Sequence, residues 1–165
     1  MPDAKKPKWL HVDFEEIVHS VRTAIAAVAS FLIARLFRLP EAYWAAIATL
    51  IVMQSTLGAA WTVSKERMAG TALGAATGAL LATYAGSNFA VFGAGLFALG
   101  VLCAILRIDR SAYRYAGITL VIVILIPRTH APWIVALHRF VEISVGIAVG
   151  LILTALWPEP QTEAA

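Results

Sequence analysis

Segments that are apolar on every side follow one another along almost the whole chain, many of them close to twenty residues long. A soluble helix is apolar along one stripe only, whereas a bilayer core of ~30 Å requires about 20 apolar residues in a row. Charged residues make up 14% of the 165 residues, against about 25% in soluble domains. The chain is therefore predicted to be an all-α membrane protein surrounded by a lipid bilayer, with no room for a soluble domain.

Short polar turns divide the chain into six predicted transmembrane helices, at about 14–37, 43–57, 66–85, 89–106, 113–126 and 134–157. Asp13 and Glu16 have the spacing of a capping box at the start of the first helix. We expect a six-span transmembrane domain over 14–157, between an N-terminal segment 1–13 and a short tail 158–165. Several spans are short for a bilayer, which indicates half-broken helices or a locally thin slab.

The basic residues indicate how the spans are oriented. Six spans place both termini on one side, and with the N-terminus inside, eight basic residues are cytoplasmic and three are external. The cytoplasmic set is Lys5, Lys6, Lys8, Lys65, Arg67, Arg107, Arg110 and Arg114, and the external set is Arg35, Arg38 and Arg128. This satisfies the positive-inside rule and predicts an inner (plasma) membrane protein with both termini cytoplasmic. Because the basic residues lie at helix ends, the net charge of +3 does not indicate a nucleic-acid partner.

A shift of 72 residues superimposes the second half of the sequence on the first. Arginines, aromatic residues and glycines then match in three successive spans. The matched pairs are Arg35 and Arg107, Arg38 and Arg110, Tyr43 and Tyr115, Trp61 and Trp133, Val63 and Val135, Arg67 and Arg139, Gly74 and Gly146, and Gly78 and Gly150. Halves of three spans, about 14–85 and 86–157, must lie in opposite orientations. The pattern therefore predicts a 3+3 inverted repeat, a transporter architecture with its substrate site near the midplane.

One stretch of the sequence resembles the fusaric acid resistance / aromatic acid exporter family. It consists of an aromatic start to a span, a short polar turn, and an arginine followed by a glycine-rich helix. The residues are Tyr43-Trp44-Ala45-Ala46, Gln54-Ser55, Gly58, Arg67-Met68-Ala69-Gly70-Thr71, Gly74 and Gly78. The chain is also distantly similar to plant aluminium-activated malate transporters. Many members of the family carry large cytoplasmic domains or a doubled membrane region, whereas this chain looks like a minimal membrane unit.

The resemblance implies a membrane transporter that exports organic anions, with aromatic carboxylates as the expected class. Because six short helices enclose little volume and the chain has glycine faces, we also expect a homo-oligomer, favoured as a dimer. Two alternatives stay open. One is a passive anion channel whose arginines select for charge, and the other is a non-transporting module that anchors a separate soluble partner. No catalytic constellation or phosphate loop is present, so an enzyme is not expected. We expect no cofactor and no metal site, because Cys103 is the sole cysteine and the histidines lack metal-ligand spacing.

Two arginines are the first candidates for lining an anion path. Under the repeat, Arg67, next to Lys65, lies near the cytoplasmic mouth, and Arg139 lies near the external one. A guanidinium binds carboxylates through two parallel hydrogen bonds and stays charged. The competing interpretations are contact with lipid headgroups and pairing with acidic neighbours, above all an intramembrane pair of Arg139 with Glu142.

Further polar and aromatic residues are weaker candidates for the path. Arg22 lies in the first span, with Glu15 or Glu16 as possible partners. Trp44 offers a surface on which an aromatic substrate stacks. Gln54 and Ser55 are polar within an apolar span and need partners there.

Glycines recur every four residues in the third and sixth spans, which allows close approach of helices. We interpret them as packing residues, either between these two spans or between subunits: Gly70, Gly74, Gly78, Gly146 and Gly150.

Overall fold

The computed structural model describes residues 14–54, 56–127 and 130–157, which form six α-helices and no strand. The helices are α1 (Phe14–Leu36), α2 (Tyr43–Val52), α3 (Leu57–Tyr84), α4 (Phe89–Ile105), α5 (Arg110–Leu125) and α6 (Pro132–Leu156). The all-α prediction is confirmed for this part of the chain. The predicted capping residue Asp13 lies outside the described residues.

The two longest helices, α3 and α6, cross in opposite directions at the centre. Met68 meets Ser144, whereas Ala75, further along α3, packs with Val135, earlier on α6. Each central helix has a parallel companion, α5 beside α3 and α2 beside α6. The contacts run in register, because Gly70 and Gly74 of α3 face Ala112 and Ala116 of α5, in that order.

The remaining helices, α1 and α4, lie at the periphery and run against α2 and α5. On α1, Arg22 reaches the carbonyl of Trp157, beyond the end of α6, while Ala34 packs with Ala45 near the start of α2. On α4, Gly95 lies near Leu120 and Gly100 near Tyr113. Successive helices therefore alternate in direction along the described chain.

The boundary between the second and third predicted spans is wrong. We expected α3 to begin near Glu66, but it begins at Leu57, where the Thr56 hydroxyl accepts a hydrogen bond from Ala59 N–H at 3.2 Å. The charged residues at 65–67 had been assigned to a membrane boundary. They lie instead inside a helix of 28 residues, whereas α2 has only 10.

Within the described ranges, two helices are long and apolar enough to cross a membrane, over Glu16–Leu36 and Pro132–Leu156. α2 and α4 are apolar but shorter, and α3 is long but carries three charged residues. Large apolar side chains nevertheless cover much of the outside. On α1 the exposed row is Ile17, Val21, Ile25, Val28 and Leu32. This outer surface is suited to lipid rather than water.

Candidate functional site

Arg139 lies at the centre of a buried charge cluster between α6 and the start of α2. The residue is only 1% exposed, and its guanidinium bonds both Glu41 and Glu142, the latter at 3.2 Å. The guanidinium carbon also lies 4.3 Å above the ring centre of Trp44. Trp44 Nε1 donates to Glu41 Oε2 at 3.0 Å, and the Tyr43 hydroxyl donates to the same oxygen at 2.8 Å. We call these five residues the Arg139 cluster.

Local sequence explains how the Arg139 cluster assembles. Arg139 and Glu142 are three residues apart and therefore share one face of α6. Glu41 follows Pro40 in the turn before α2, and its backbone N–H donates to Glu142 Oε1 at 2.8 Å. Trp44 lies in the first turn of α2, so its ring is held beside Glu41. The pairing of Arg139 with Glu142, which the sequence offered as a competing interpretation, is confirmed.

A cavity of about 560 Å³ opens beside the Arg139 cluster. Its lining includes both charged or imidazole side chains and apolar groups: Pro40, Glu41, Ile126, Pro127, His130, Val135, His138, Arg139 and Glu142. A second cavity of about 390 Å³ shares Ile126, Pro127, His130 and Val135 with the first. A lining that mixes charged and apolar groups is suited to a small amphiphilic molecule.

Arg67 occupies a comparable position on α3 but has different neighbours. It is 4% exposed, and its guanidinium carbon lies 5.0 Å above the ring centre of Tyr115 on α5. Within the described residues, Arg67 Nε and the nearby Ser64 hydroxyl are buried without a hydrogen-bond partner, and no ion pair with a carboxylate is seen there. Arg67 is therefore a buried cation with an open donor, one turn from an open hydroxyl.

Neither arginine lies in the first turn of its helix. Arg67 is ten residues, or about 15 Å, into α3, and Arg139 is seven residues, or about 10 Å, into α6. Arg67 is one residue before Met68, which contacts Ser144 in the middle of α6. The expectation that Arg67 lies at the start of the third helix is wrong, because α3 begins at Leu57. Lys65, on the same helix, is exposed.

Arg22 is buried and joins the ends of two other helices. Its guanidinium donates to the carbonyl oxygen of Trp157 at 2.6 Å and to that of Gln54 at 2.9 Å. The last carbonyls of a helix lack partners within it and carry a partial negative charge. Arg22 thus neutralises the C-terminal ends of α6 and α2 together. The Gln54 side chain turns back to the carbonyl of Ile51, and Ser55 lies outside the described residues.

Two members of these sites were not recognised as such in the sequence. Glu41 was overlooked, although it is the sole acidic residue between Glu16 and Glu66, which is a signal that it needs a partner. Tyr115 was noted only as the match of Tyr43 in the repeat, whereas its ring lies beneath the Arg67 guanidinium. Trp44 was expected to stack with substrate, and Arg139 already covers one face of its ring.

The repeated glycines pack inside the chain. A Cβ at Gly70 or Gly74 would collide with backbone carbonyls of α5, and one at Gly146 with the Ala45 carbonyl of α2. Gly78 and Gly150 face the side chains of Val123 and Val52 more loosely. The glycine faces therefore hold α3 against α5 and α6 against α2, rather than α3 against α6. Their contact surface is used within one chain and gives no argument for a subunit interface.

Among the described residues, no group of three histidine, cysteine or acidic side chains could hold a metal ion. The arrangement offers buried guanidinium groups, aromatic faces and a cleft, which are the parts of a binding site for a small charged molecule.

Comparison with known proteins identifies the group to which the chain is related. Inner membrane protein YeeA of Escherichia coli (strain K12) is 29% identical to it over 147 residues. The match covers 87% of this chain but 41% of that protein, so the chain spans about two fifths of its relative. No solved structure matches the chain. The model of the fusaric acid resistance protein-like family matches residues 26–153. This membrane protein therefore belongs to the fusaric acid resistance protein-like family.

Proposed function

We propose that the chain is the membrane unit of a transporter that exports organic anions, with aromatic carboxylates as the expected class. The observation that carries the proposal is the burial of Arg67 and Arg139, each stacked on an aromatic ring, inside a bundle with an apolar surface. Ionisable residues inside membrane helices are costly and mark ion or substrate pathways. Family membership supports transport, while the substrate class is our inference from arginine chemistry.

An inverted repeat relates the two arginines in this proposal. The contacts of α1, α2 and α3 have counterparts in those of α4, α5 and α6, including α2 beside α6 and α5 beside α3. Arg38 and Arg107, each just after the first helix of its half, both have positive φ, 56° and 53°. A 3+3 repeat with alternating helix directions accounts for these pairs, and it places Arg67 and Arg139 on either side of a pseudo-two-fold axis.

The residues of the two halves do not correspond by a constant shift of 72 positions. Arg67 and Arg139 are 72 apart, but their ring partners Tyr115 and Trp44 are 71 apart. The two positive-φ arginines are 69 apart. We infer that the halves differ by small insertions in their turns, which explains why Arg35 and Arg107, matched by the constant shift, have different backbone conformations.

Six membrane crossings with cytoplasmic termini remain our proposed topology. α2 is about 15 Å long and α5 about 24 Å, so the hydrophobic slab must be thin or these helices must span only part of it. When Lys65 and Arg67 are left out of the count because they lie inside α3, six cytoplasmic basic residues against three external ones still favour the same orientation. A homodimer also remains a proposal, since the glycines do not support it and a soluble partner is an alternative.

The two arginines differ in what they can offer an anion. Both terminal nitrogens of Arg139 already bond carboxylates, whereas within the described residues Arg67 makes no ion pair and lies beside the Ser64 hydroxyl, which, like the Arg67 Nε, is buried without a hydrogen-bond partner. A substrate carboxylate would satisfy both open groups, and removing such a desolvated charge contact has a large energetic cost. Arg67 is therefore the arginine whose loss should affect transport most directly.

The test is uptake of labelled benzoate into liposomes that contain the purified full chain. Arg67→Ala should reduce saturable uptake by about tenfold or more, because the buried positive charge is lost. Arg35→Ala is the matched control, since Arg35 is exposed on the same bundle and its guanidinium lies over the Phe31 ring. It should keep uptake within about twofold of the parent.

The outcome also decides between the alternatives. No uptake of benzoate, malate or chloride above empty liposomes would refute transport by the chain alone and favour an assembly module. Currents that follow the Nernst potential of the anion, with no response to a pH gradient, would identify a passive channel.

A further inference from the structure

Three hydrogen-bond donors converge on one carboxylate oxygen in the Arg139 cluster. Glu41 Oε2 accepts from the Arg139 guanidinium, from Trp44 Nε1 and from the Tyr43 hydroxyl. Such a set, a cation with two neutral donors, is what a binding site for a free carboxylate requires. The structure therefore contains a carboxylate site that is occupied by a side chain of the protein itself.

The two carboxylates of the Arg139 cluster are held very differently. Glu142 is part of α6 and is 1% exposed. Glu41 belongs to the turn between α1 and α2, and its side chain is 19% exposed. Glu41 and Arg139 also line the same cavity of about 560 Å³. A rotation of the Glu41 side chain towards this cavity would uncover its three donors, while Glu142 would still hold the guanidinium in place.

We propose that Glu41 is an internal ligand, and that an organic carboxylate enters from the cavity and takes its place on Arg139, Trp44 and Tyr43. The identity of this carboxylate as substrate rests on the proposed function. Its apolar body would lie along the wall formed by Ile126, Pro127 and Val135. The exchange swaps one carboxylate for another, so the buried Arg139 guanidinium stays paired throughout, while the displaced Glu41 carboxylate turns into the cavity that it already lines.

Glu41 competes with any incoming carboxylate because it is tethered beside its site. A short tether gives an effective concentration in the millimolar range or above. Deleting this carboxylate should therefore strengthen binding of a free one, the opposite of what happens when an ordinary substrate contact is deleted. The direction of the change in affinity therefore distinguishes an internal ligand, whose removal strengthens binding, from a structural ion pair.

The experiment measures equilibrium binding of benzoate to the full chain purified in detergent, by calorimetry and by thermal shift. Glu41→Ala should bind benzoate about tenfold or more tightly than the parent, and acetate should raise its melting temperature. The control is Glu16→Ala, which removes an exposed carboxylate of the same type on α1 and should leave benzoate affinity unchanged. Adding Arg139→Gln to Glu41→Ala should abolish the gain.

Unchanged or weaker benzoate binding by Glu41→Ala would overturn the proposal. Should that variant fail to fold, Glu41→Gln keeps the shape, weakens the hold on Arg139 and must still show tighter binding. The result is independent of flux. If Glu41→Ala binds benzoate more tightly but the chain transports nothing, the carboxylate site is supported and the proposed function is refuted. If the chain transports benzoate in a manner that needs Arg67 but Glu41→Ala does not change binding, the proposed function is supported and the carboxylate site is refuted.

Discussion

Gly146 of α6 lies where that helix touches the backbone of α2, and its replacement by alanine is the sharpest test of the packing described above. The new Cβ would lie well inside van der Waals contact with the Ala45 carbonyl oxygen and 2.6 Å from Ala48 Cβ, whereas ordinary contact begins near 3.4 Å. A backbone carbonyl cannot rotate out of the way. The two helices must separate, because no side-chain rearrangement relieves this overlap.

The expected cost combines three effects. Overpacking of a close contact costs about 1–3 kcal/mol. The hydrogen bond from Thr49 Oγ1 to the Gly146 carbonyl, 2.9 Å long, would stretch, at a cost of about 1 kcal/mol. Alanine regains about 1 kcal/mol as the better helix former. Gly146→Ala should thus be less stable by about 1–3 kcal/mol, which lowers the melting temperature by about 3–9 °C in a chain of this size.

Cys103 supplies the assay, since it is the sole cysteine and is 3% exposed. A fluorogenic maleimide added to the protein in detergent reports the temperature at which this thiol becomes accessible. Gly93→Ala is the matched control on α4, where a Cβ meets nothing within 4 Å, and it should raise stability by about 0.5–1 kcal/mol. Gly150→Ala, 3.2 Å from a Val52 methyl, should fall between the two. A Gly146→Ala variant that melts no lower than Gly93→Ala would refute the close contact.

Three further substitutions test other contacts. Arg22→Ala leaves two helix-end carbonyls without their donor and should lower the free energy of unfolding by about 3 kcal/mol, measured by detergent denaturation followed by circular dichroism. Exposed Arg35→Ala should lower it by about 1 kcal/mol or less. Equal losses of stability for the two variants would contradict the bridging role of Arg22. Arg139→Met leaves two carboxylates without their cation and should lower the free energy of unfolding by about 3–5 kcal/mol. Adding Glu142→Gln should recover part of this loss, and strictly additive losses of stability in the double variant would contradict the coupling of the two residues. Thr49→Val should cost about 1 kcal/mol, and an unchanged melting temperature would show that its bond to α6 is unimportant.

Helix ends marked by glycine, proline or asparagine were predictable, and those marked by charge were not. Asn88 does cap α4 through its side chain, and Pro127 does follow α5. Hydropathy alone treats a run such as Lys65-Glu66-Arg67 as the edge of a membrane. Whether such a run lies inside a helix depends on whether a neighbour buries the arginine, and here Tyr115 of α5 does so.

The local part of the Arg139 cluster could be predicted from spacing, and the rest could not. Arg139 and Glu142 are close because one helical turn brings them together. Glu41 is 98 residues away in sequence, and no periodicity relates a turn residue to a helix face across that distance. The partners of Arg22 are backbone carbonyls, which every residue possesses and which therefore leave no trace in the pattern of side chains.

The bond between Arg22 and Trp157 joins residues 135 positions apart, which has a consequence for biogenesis. Chains emerge from the ribosome at about 5–20 residues per second, so on the order of ten seconds separates synthesis of the arginine from synthesis of its last partner. During that interval the Arg22 guanidinium lacks the helix-end carbonyl that it later binds, and a charged side chain without its partners is costly in a membrane helix. We therefore expect α1 to be held in the bundle less firmly until α6 is made.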